Sequence, residues 1–206
     1  MRIGLEHKAS FIANSLAISN KSNAVIRPRP RDHRPRGVMQ SIPMLIVADA
    51  GPLIALAVGG VLAASVGMPG GLIVPETVLR ECTADPSAPG AAIIHDVYAS
   101  GDFQIIPETS LAPLDAAFAQ GLGTGEIAVL CYAAEHGLLA LIDERRARGI
   151  AARLRVPVIG SGAVLAQLKC QGLIDSVQAV LDAWKRHGYF VSQAVKSDIL
   201  LRSGEG

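Results

Sequence analysis

Short, mainly apolar runs are the feature that most constrains the fold of this chain. The clearest is LLALI at residues 138–142, which lies between two segments with helical patterning. An all-apolar run of this length is typical of a strand that is buried on both faces of a parallel sheet. Similar runs predict four further strands, at residues 45–48, 72–74, 103–106 and 156–159.

Segments with helical patterning separate these runs, so the chain alternates between strands and helices. Alternation of this kind predicts an α/β fold with three layers, α/β/α, around a central, mostly parallel sheet of five strands. Thr124, Asp175 and Ser192 are the N-caps expected from the sequence for three of the helices. The first helix, which begins near Pro52, is expected to end at Gly59-Gly60 or to continue to Gly67. The other helices are predicted at residues 75–82, 91–99, 113–119, 124–137, 144–154, 163–170, 175–187 and 192–202.

Composition agrees with one such domain in a reducing compartment. Half of the residues are apolar and only 4% are aromatic, which suits helices packed on a sheet rich in aliphatic side chains. The three cysteines are far apart and show no metal-binding spacing, so we expect free thiols in the cytoplasm. No apolar run is long enough to span a membrane, and the N-terminus lacks the pattern of a signal peptide.

The N-terminal part of the chain differs from the rest in charge. Residues 1–43 are rich in arginine and contain, at residues 27–37, the proline-rich RPRPRDHRPRG, which cannot bury enough surface to fold alone. We predict a disordered basic extension, or a translation start assigned too early, ahead of a folded domain at residues 44–206. A basic arm that binds nucleic acid is the functional alternative.

Four acidic residues stand at comparable points of the predicted sheet. Asp49 ends the first strand and Asp143 follows the fourth, while Glu81 and Glu126 lie on helices that flank the second and fourth strands. In open α/β sheets, ligands bind in the crevice outside the carboxyl ends of the strands. Crowded carboxylates repel one another unless a cation is bound, and hard oxygen ligands favour Mg²⁺ or Mn²⁺. A cation held there can activate water and neutralise charge on a phosphodiester.

The segments that carry these acids resemble the PIN-domain ribonucleases, in particular the VapC-like toxin branch. They are VADAGPLIAL, VPETVLREC, GLGTGEIAVLCYAAEHG and LIDERRARGIAARL, and the resemblance extends over about residues 44–205. It implies that Asp49, Glu81, Glu126 and Asp143 are the metal-binding, catalytic residues of an endoribonuclease that leaves a 5′-phosphate. It further implies a homodimer and a role as the toxin of a type II toxin–antitoxin pair with a cognate antitoxin. Many members have Ser or Thr shortly after the first Asp, whereas Ala50-Gly51 stand here.

A cluster of arginines begins two residues after Asp143. Arg145, Arg146 and Arg148 either hold RNA phosphates beside the metal, or lie on a solvated helix face that contacts an antitoxin or a second copy.

Simpler explanations exist for each acid. Asp49 and Asp143 are also plausible helix caps, Glu126 complements a helix dipole, and Glu81 and Glu144 suit solvated positions. Two other functions remain open on the sequence: a PIN-like module that binds RNA or protein without cutting, and a nucleotide-binding domain that uses GLGTG. Trp184 and Tyr189 are expected to pack in the core rather than to stack on bases.

Overall fold

The computed structural model describes residues 45–108 and 116–206. The predicted basic extension at residues 1–43 lies outside these ranges, and so do residues 113–115 of one predicted helix. Both stay predictions.

All five predicted strands are present in one sheet, and every pairing between them is parallel. The order across the sheet is β3-β2-β1-β4-β5, so the first and fourth strands are neighbours, as expected. The α/β fold with a parallel five-stranded sheet is therefore confirmed. The strands are β1 (Ile46–Ala48), β2 (Leu72–Pro75), β3 (Gln104–Ile106), β4 (Leu139–Leu141) and β5 (Val158–Ile159).

Helices connect the strands at nearly the predicted positions. The first helical segment is two helices, because the chain turns at Gly59 and Gly60 and Gly60 has a φ of +71°. Within the described ranges, no helix is long and apolar enough to cross a membrane. The helices are α1 (Ala50–Val58), α2 (Leu62–Val66), α3 (Glu76–Thr83), α4 (Ala91–Ala99), α5 (Ala116–Ala119), α6 (Thr124–His136), α7 (Arg145–Arg153), α8 (Ser161–Cys170), α9 (Val177–Arg186) and α10 (Gln193–Ser203).

The core lies on both faces of the central strands. Every residue of β1 and β2 is buried, and successive residues of a strand point to opposite faces, so both faces are covered. The edge strands β3 and β5 are only partly buried. Trp184 of α9 is fully buried and donates a hydrogen bond from Nε1 to the carbonyl oxygen of Ala55 in α1, 2.6 Å away. As expected, this tryptophan is a packing residue.

Two of the three predicted N-caps are wrong by one residue. Gly123 rather than Thr124 precedes α6, and Ser176 rather than Asp175 caps α9 by accepting a hydrogen bond from the Ala179 amide. The third prediction is confirmed, since the Ser192 side chain accepts a hydrogen bond from the amide at the start of α10. In α6 the carboxylate of Glu126 accepts a hydrogen bond from the Gly123 amide, which is the N3-to-N-cap half of a capping box.

Candidate functional site

The carboxyl ends of β1 and β4 define the site. From β1 the chain continues to β2 and β3 on one side of the sheet, and it then crosses to β4 and β5 on the other side. The strand order therefore reverses between β1 and β4. Ligands bind at such points in open α/β sheets. Asp49 directly follows β1, and its amide donates to the carbonyl oxygen of Leu141, the last residue of β4, over 3.1 Å. Asp143 lies two residues beyond Leu141, so the two aspartates emerge side by side.

Asp49 is a buried carboxylate with acidic neighbours. Its side chain is 7% exposed. It stands at the N-cap position of α1 but accepts no capping hydrogen bond there, so simple helix capping does not explain it. The pKa of Asp49 is raised to about 7, mainly because the carboxyl is buried. The hydrogen bond from the Ala50 amide lowers this pKa, and the negative charges of Glu126, Glu81 and Asp143 contribute to the rise. A buried acid near three others is typical of functional sites.

The carboxylates of Asp49 and Glu81 both lie close to Gly125, in the first turn of α6. A Cβ atom at this position would lie 2.9 Å from Oε2 of Glu81 and 3.5 Å from Oδ1 of Asp49. It would also lie 3.2 Å from Cγ2 of Val78. The absence of a side chain at this buried residue therefore leaves room for the two carboxylates against the start of α6.

Glu81 and Glu126 reach the site from helices that pack against each other, α3 and α6. Glu81 is exposed, although its neighbours Val78 and Cys82 on α3 are buried. Oε2 of Glu126 accepts a hydrogen bond from the Gly123 amide over 2.8 Å. Glu126 therefore has a structural role at the helix start as well as an electrostatic effect on Asp49.

Asp143 differs from Asp49 because both of its oxygens accept hydrogen bonds. Oδ1 accepts from the Ser161 amide over 2.9 Å, and Oδ2 accepts from the Tyr189 hydroxyl over 2.6 Å. Burial raises the pKa of the Tyr189 phenol above its ordinary value, and the charge of Asp143 and its hydrogen bond to the phenol act in the same direction. Sequence reasoning missed this role for Tyr189, which lies 46 residues further along the chain.

Two of the three arginines considered for RNA binding already hold backbone carbonyls. Nη2 of Arg146 donates to the Gln120 carbonyl over 3.0 Å, which ties α7 to the loop before α6. Nη1 of Arg148 donates to the Ile142 carbonyl over 2.8 Å, directly before Asp143. Arg145, the first residue of α7, is exposed. Glu144 is the N-cap of this helix and accepts from the Ala147 amide over 2.6 Å, so it belongs to the helix start.

The four acids fit a divalent cation in charge and in donor type, but they do not form a closed ligand set as they stand. In the described ranges, no three His, Cys, Asp or Glu side chains are close enough together to hold a metal ion. The charges of Glu81, Glu126 and Asp143 nevertheless act on Asp49, and carboxylate oxygens are the ligands that Mg²⁺ and Mn²⁺ prefer.

The GLGTG segment does not favour a nucleotide phosphate. Gly125 faces carboxylates, and Glu126 already occupies the amide of Gly123 at the start of α6. A phosphate at this helix N-terminus would meet negative charge on both sides.

Fold and site together define a parallel α/β domain with an acidic crevice at the reversal of its strand order. A family model described as a PIN domain matches residues 45–205, and the chain belongs to this family. PIN domains are generally nucleases, so the fold is nuclease-like. No match was found among curated proteins or among solved structures.

Proposed function

We propose that this protein is a metal-dependent endoribonuclease and the toxin of a type II toxin–antitoxin pair. The observation that carries the proposal is the state of Asp49. It is a buried carboxylate beside three other acids, and its pKa is raised to about 7 at the point where the strand order reverses. Such an arrangement costs folding free energy, and a bound cation would offset that cost.

Asp49, Glu81, Glu126 and Asp143 would hold Mg²⁺ or Mn²⁺. When bound, the cation would supply charge neutralisation at the scissile phosphodiester and would lower the pKa of a coordinated water. The chain's own contribution is orientation. The Ser161 amide and the Tyr189 hydroxyl fix the Asp143 carboxylate, and the Gly123 amide fixes one oxygen of Glu126.

Arg145, Arg146 and Arg148 supply positive charge beside this crevice. Arg148 has further N–H groups besides the one that binds the Ile142 carbonyl, and Arg145 is exposed. Contacts of this kind to phosphate oxygens would position an RNA strand without reading its sequence.

The decisive test is RNA cleavage by purified protein with Mg²⁺ or Mn²⁺. We expect the protein to cut single-stranded RNA or tRNA and to leave a 5′-phosphate. Asp143→Asn should lower the rate by more than about 100-fold, since even loss of a residue that supports a ligand costs 10- to 100-fold. Glu135→Gln, an exposed substitution near the other end of α6, is the matched control and should leave the rate unchanged. Cleavage that survives both EDTA and Asp143→Asn contradicts the mechanism.

Partners follow from the same proposal. A toxin of this type would form a homodimer and bind a small antitoxin encoded next to it. Light scattering on the purified protein tests the dimer. Co-expression with the product of the reading frame immediately upstream tests the antitoxin, since that product should co-purify and block RNA cleavage.

One observation favours a second candidate, a PIN-like module that binds RNA or protein without cutting. Among the described residues, no three potential ligands are gathered closely enough to hold a metal. Calorimetric titration with Mn²⁺ separates the two functions. Binding that Asp49→Asn abolishes supports the nuclease, whereas RNA affinity without any metal binding supports the module.

A further inference from the structure

We infer that Tyr189, on the segment between α9 and α10, is a positioning residue for the metal-binding carboxylate Asp143. The inference rests on the proposed function, because it concerns how one of the four acids is presented to a cation. Tyr189 would act through Asp143 and would not itself contact the metal or the RNA.

The contact between these two side chains is short and lies in a partly buried place. The Tyr189 hydroxyl donates to Oδ2 of Asp143 over 2.6 Å, while the Ser161 amide donates to Oδ1 over 2.9 Å. With a donor on each oxygen, the carboxylate plane cannot rotate without breaking a hydrogen bond. Hydrogen-bond partners of this kind orient metal ligands, and their loss commonly weakens metal affinity or activity by 10- to 100-fold.

The phenol is itself held in place by Trp184 of α9. Helix α9 ends before Gly188, which has a φ of +80°, and the Tyr189 amide then donates to the Trp184 carbonyl over 2.9 Å. The ring of Tyr189 packs edge-on against Trp184 with centroids 5.0 Å apart, and Trp184 is bonded to Ala55 of α1. A continuous series of contacts therefore connects α1, which begins after Asp49, with the Tyr189 hydroxyl that binds Asp143.

A role limited to packing makes a different prediction from a positioning role. The ring of Tyr189 contacts Trp184, whereas the hydroxyl contacts Asp143. Tyr189→Phe keeps the ring and removes only the hydroxyl. A packing role predicts little change in metal affinity after this substitution, and a positioning role predicts a large one.

The experiment measures Mn²⁺ affinity by calorimetry on the full chain, with RNA cleavage as a second readout. We expect Tyr189→Phe to weaken Mn²⁺ binding by about 10- to 100-fold and to lower kcat more than it changes KM. Tyr98→Phe removes a phenol hydroxyl from the exposed face of α4 and is the matched control, with affinity expected to equal that of the unmodified chain. If Tyr189→Phe is unfolded at 25 °C in EDTA, Tyr189→His, which keeps a ring with an N–H donor, takes its place and should show a smaller loss in the same direction.

A double-mutant cycle with Asp143→Asn identifies the route of the effect. If Tyr189 acts through Asp143, Tyr189→Phe should change Mn²⁺ affinity far less in the Asp143→Asn background than in the unmodified chain. Suppose that the unmodified chain binds metal and cuts RNA. Additive losses in the double mutant, or unchanged or tighter Mn²⁺ binding in Tyr189→Phe, would then overturn the inference about Tyr189 but not the proposed function. An unmodified chain that neither binds Mn²⁺ nor cuts RNA overturns the inference and the proposed function together.

Discussion

Two carboxylates at helix N-termini have opposite surroundings in this molecule. Asp49 at the start of α1 is buried among other acids, and its pKa rises to about 7. Glu205 lies at the start of α9, where it accepts hydrogen bonds from the Gln178 and Val177 amides over 2.9 and 2.8 Å. These bonds are the main reason why the pKa of Glu205 falls to about 2, and Lys169 at 3.1 Å adds to the effect.

The contrast shows which acids stabilise the fold and which act against it. Glu205 satisfies the free amides of a helix start and joins the end of the chain to the domain, so its charge favours folding. Asp49 is buried and has negative neighbours, and the Ala50 amide offsets these effects only in part, so its charge opposes folding at neutral pH. A buried acid that opposes folding is expected where function requires it.

Among these substitutions, Asp49→Asn should have the largest effect on RNA cleavage. It also tests directly whether the charge of Asp49 opposes folding. We expect RNA cleavage to fall by more than about 100-fold, because a residue proposed to bind the metal is lost. In EDTA the same variant should be more stable than the unmodified chain at pH 8, by about 1–3 kcal/mol. The folded-state pKa lies above the unfolded value of 3.8, so the unmodified chain loses stability as pH rises through about 7.

Urea unfolding at pH 5 and pH 8 measures this gain. The advantage of Asp49→Asn should be smaller at pH 5, where Asp49 is largely protonated in the folded chain. If Asp49→Asn were less stable than the unmodified chain at both pH 5 and pH 8, the buried charge at residue 49 would not oppose folding.

Gly125→Ala should have an intermediate effect on activity. The new methyl group would meet Oε2 of Glu81 at 2.9 Å and Cγ2 of Val78 at 3.2 Å, so it should displace the acids while the helix forms normally. We expect cleavage to fall by about 10- to 100-fold, a loss typical of misplacement by about 1 Å. Gly51→Ala in α1 is the control, since nothing lies within 4 Å of a Cβ atom there. Equal rates for both variants would mean that the space at residue 125 does not matter.

Glu205→Gln should have the smallest effect, and on stability rather than on chemistry. We expect a loss of about 1–2 kcal/mol at pH 7, the usual range for a helix N-terminal acceptor, with an unchanged cleavage rate below the melting transition. The folded-state pKa of about 2 lies below the ordinary 4.5, so the contribution is present above pH 4.5 and is lost as pH falls toward 2. The difference in unfolding free energy between Glu205→Gln and the unmodified chain, measured in urea, should therefore become smaller in acid. A gap that does not depend on pH would rule out the carboxylate charge as its source.

The sequence was sufficient to predict the sheet and the neighbouring positions of Asp49 and Asp143. Short apolar runs identified the strands. Residues that follow neighbouring strands of a parallel sheet lie at the same edge, which is why Asp49 and Asp143 are next to each other. The predicted cap of α9 was wrong by one residue because Asp175 and Ser176 both have side chains that can cap a helix. At the start of α6 the N-cap is Gly123, which has no side chain and whose amide binds Glu126.

The hydrogen-bond donors around Asp143 could not be predicted in the same way. Tyr189 reaches this residue only because α9 packs on α1 and the chain turns at Gly188. That geometry depends on contacts between distant segments, which leave no periodic pattern. The same applies to Glu205, whose partners lie 27 to 29 residues earlier. A glycine directly before an aromatic residue at a helix end was the one local signal present for Tyr189.

Trp184 is the chain's single tryptophan, and this gives the protein an internal optical probe. Its indole is buried, bonded to α1 and in contact with the ring of Tyr189. Its fluorescence emission will therefore follow the packing behind the acidic crevice, without any attached dye. Cation or RNA binding that moves α1 against α9 will shift that emission in the unmodified protein.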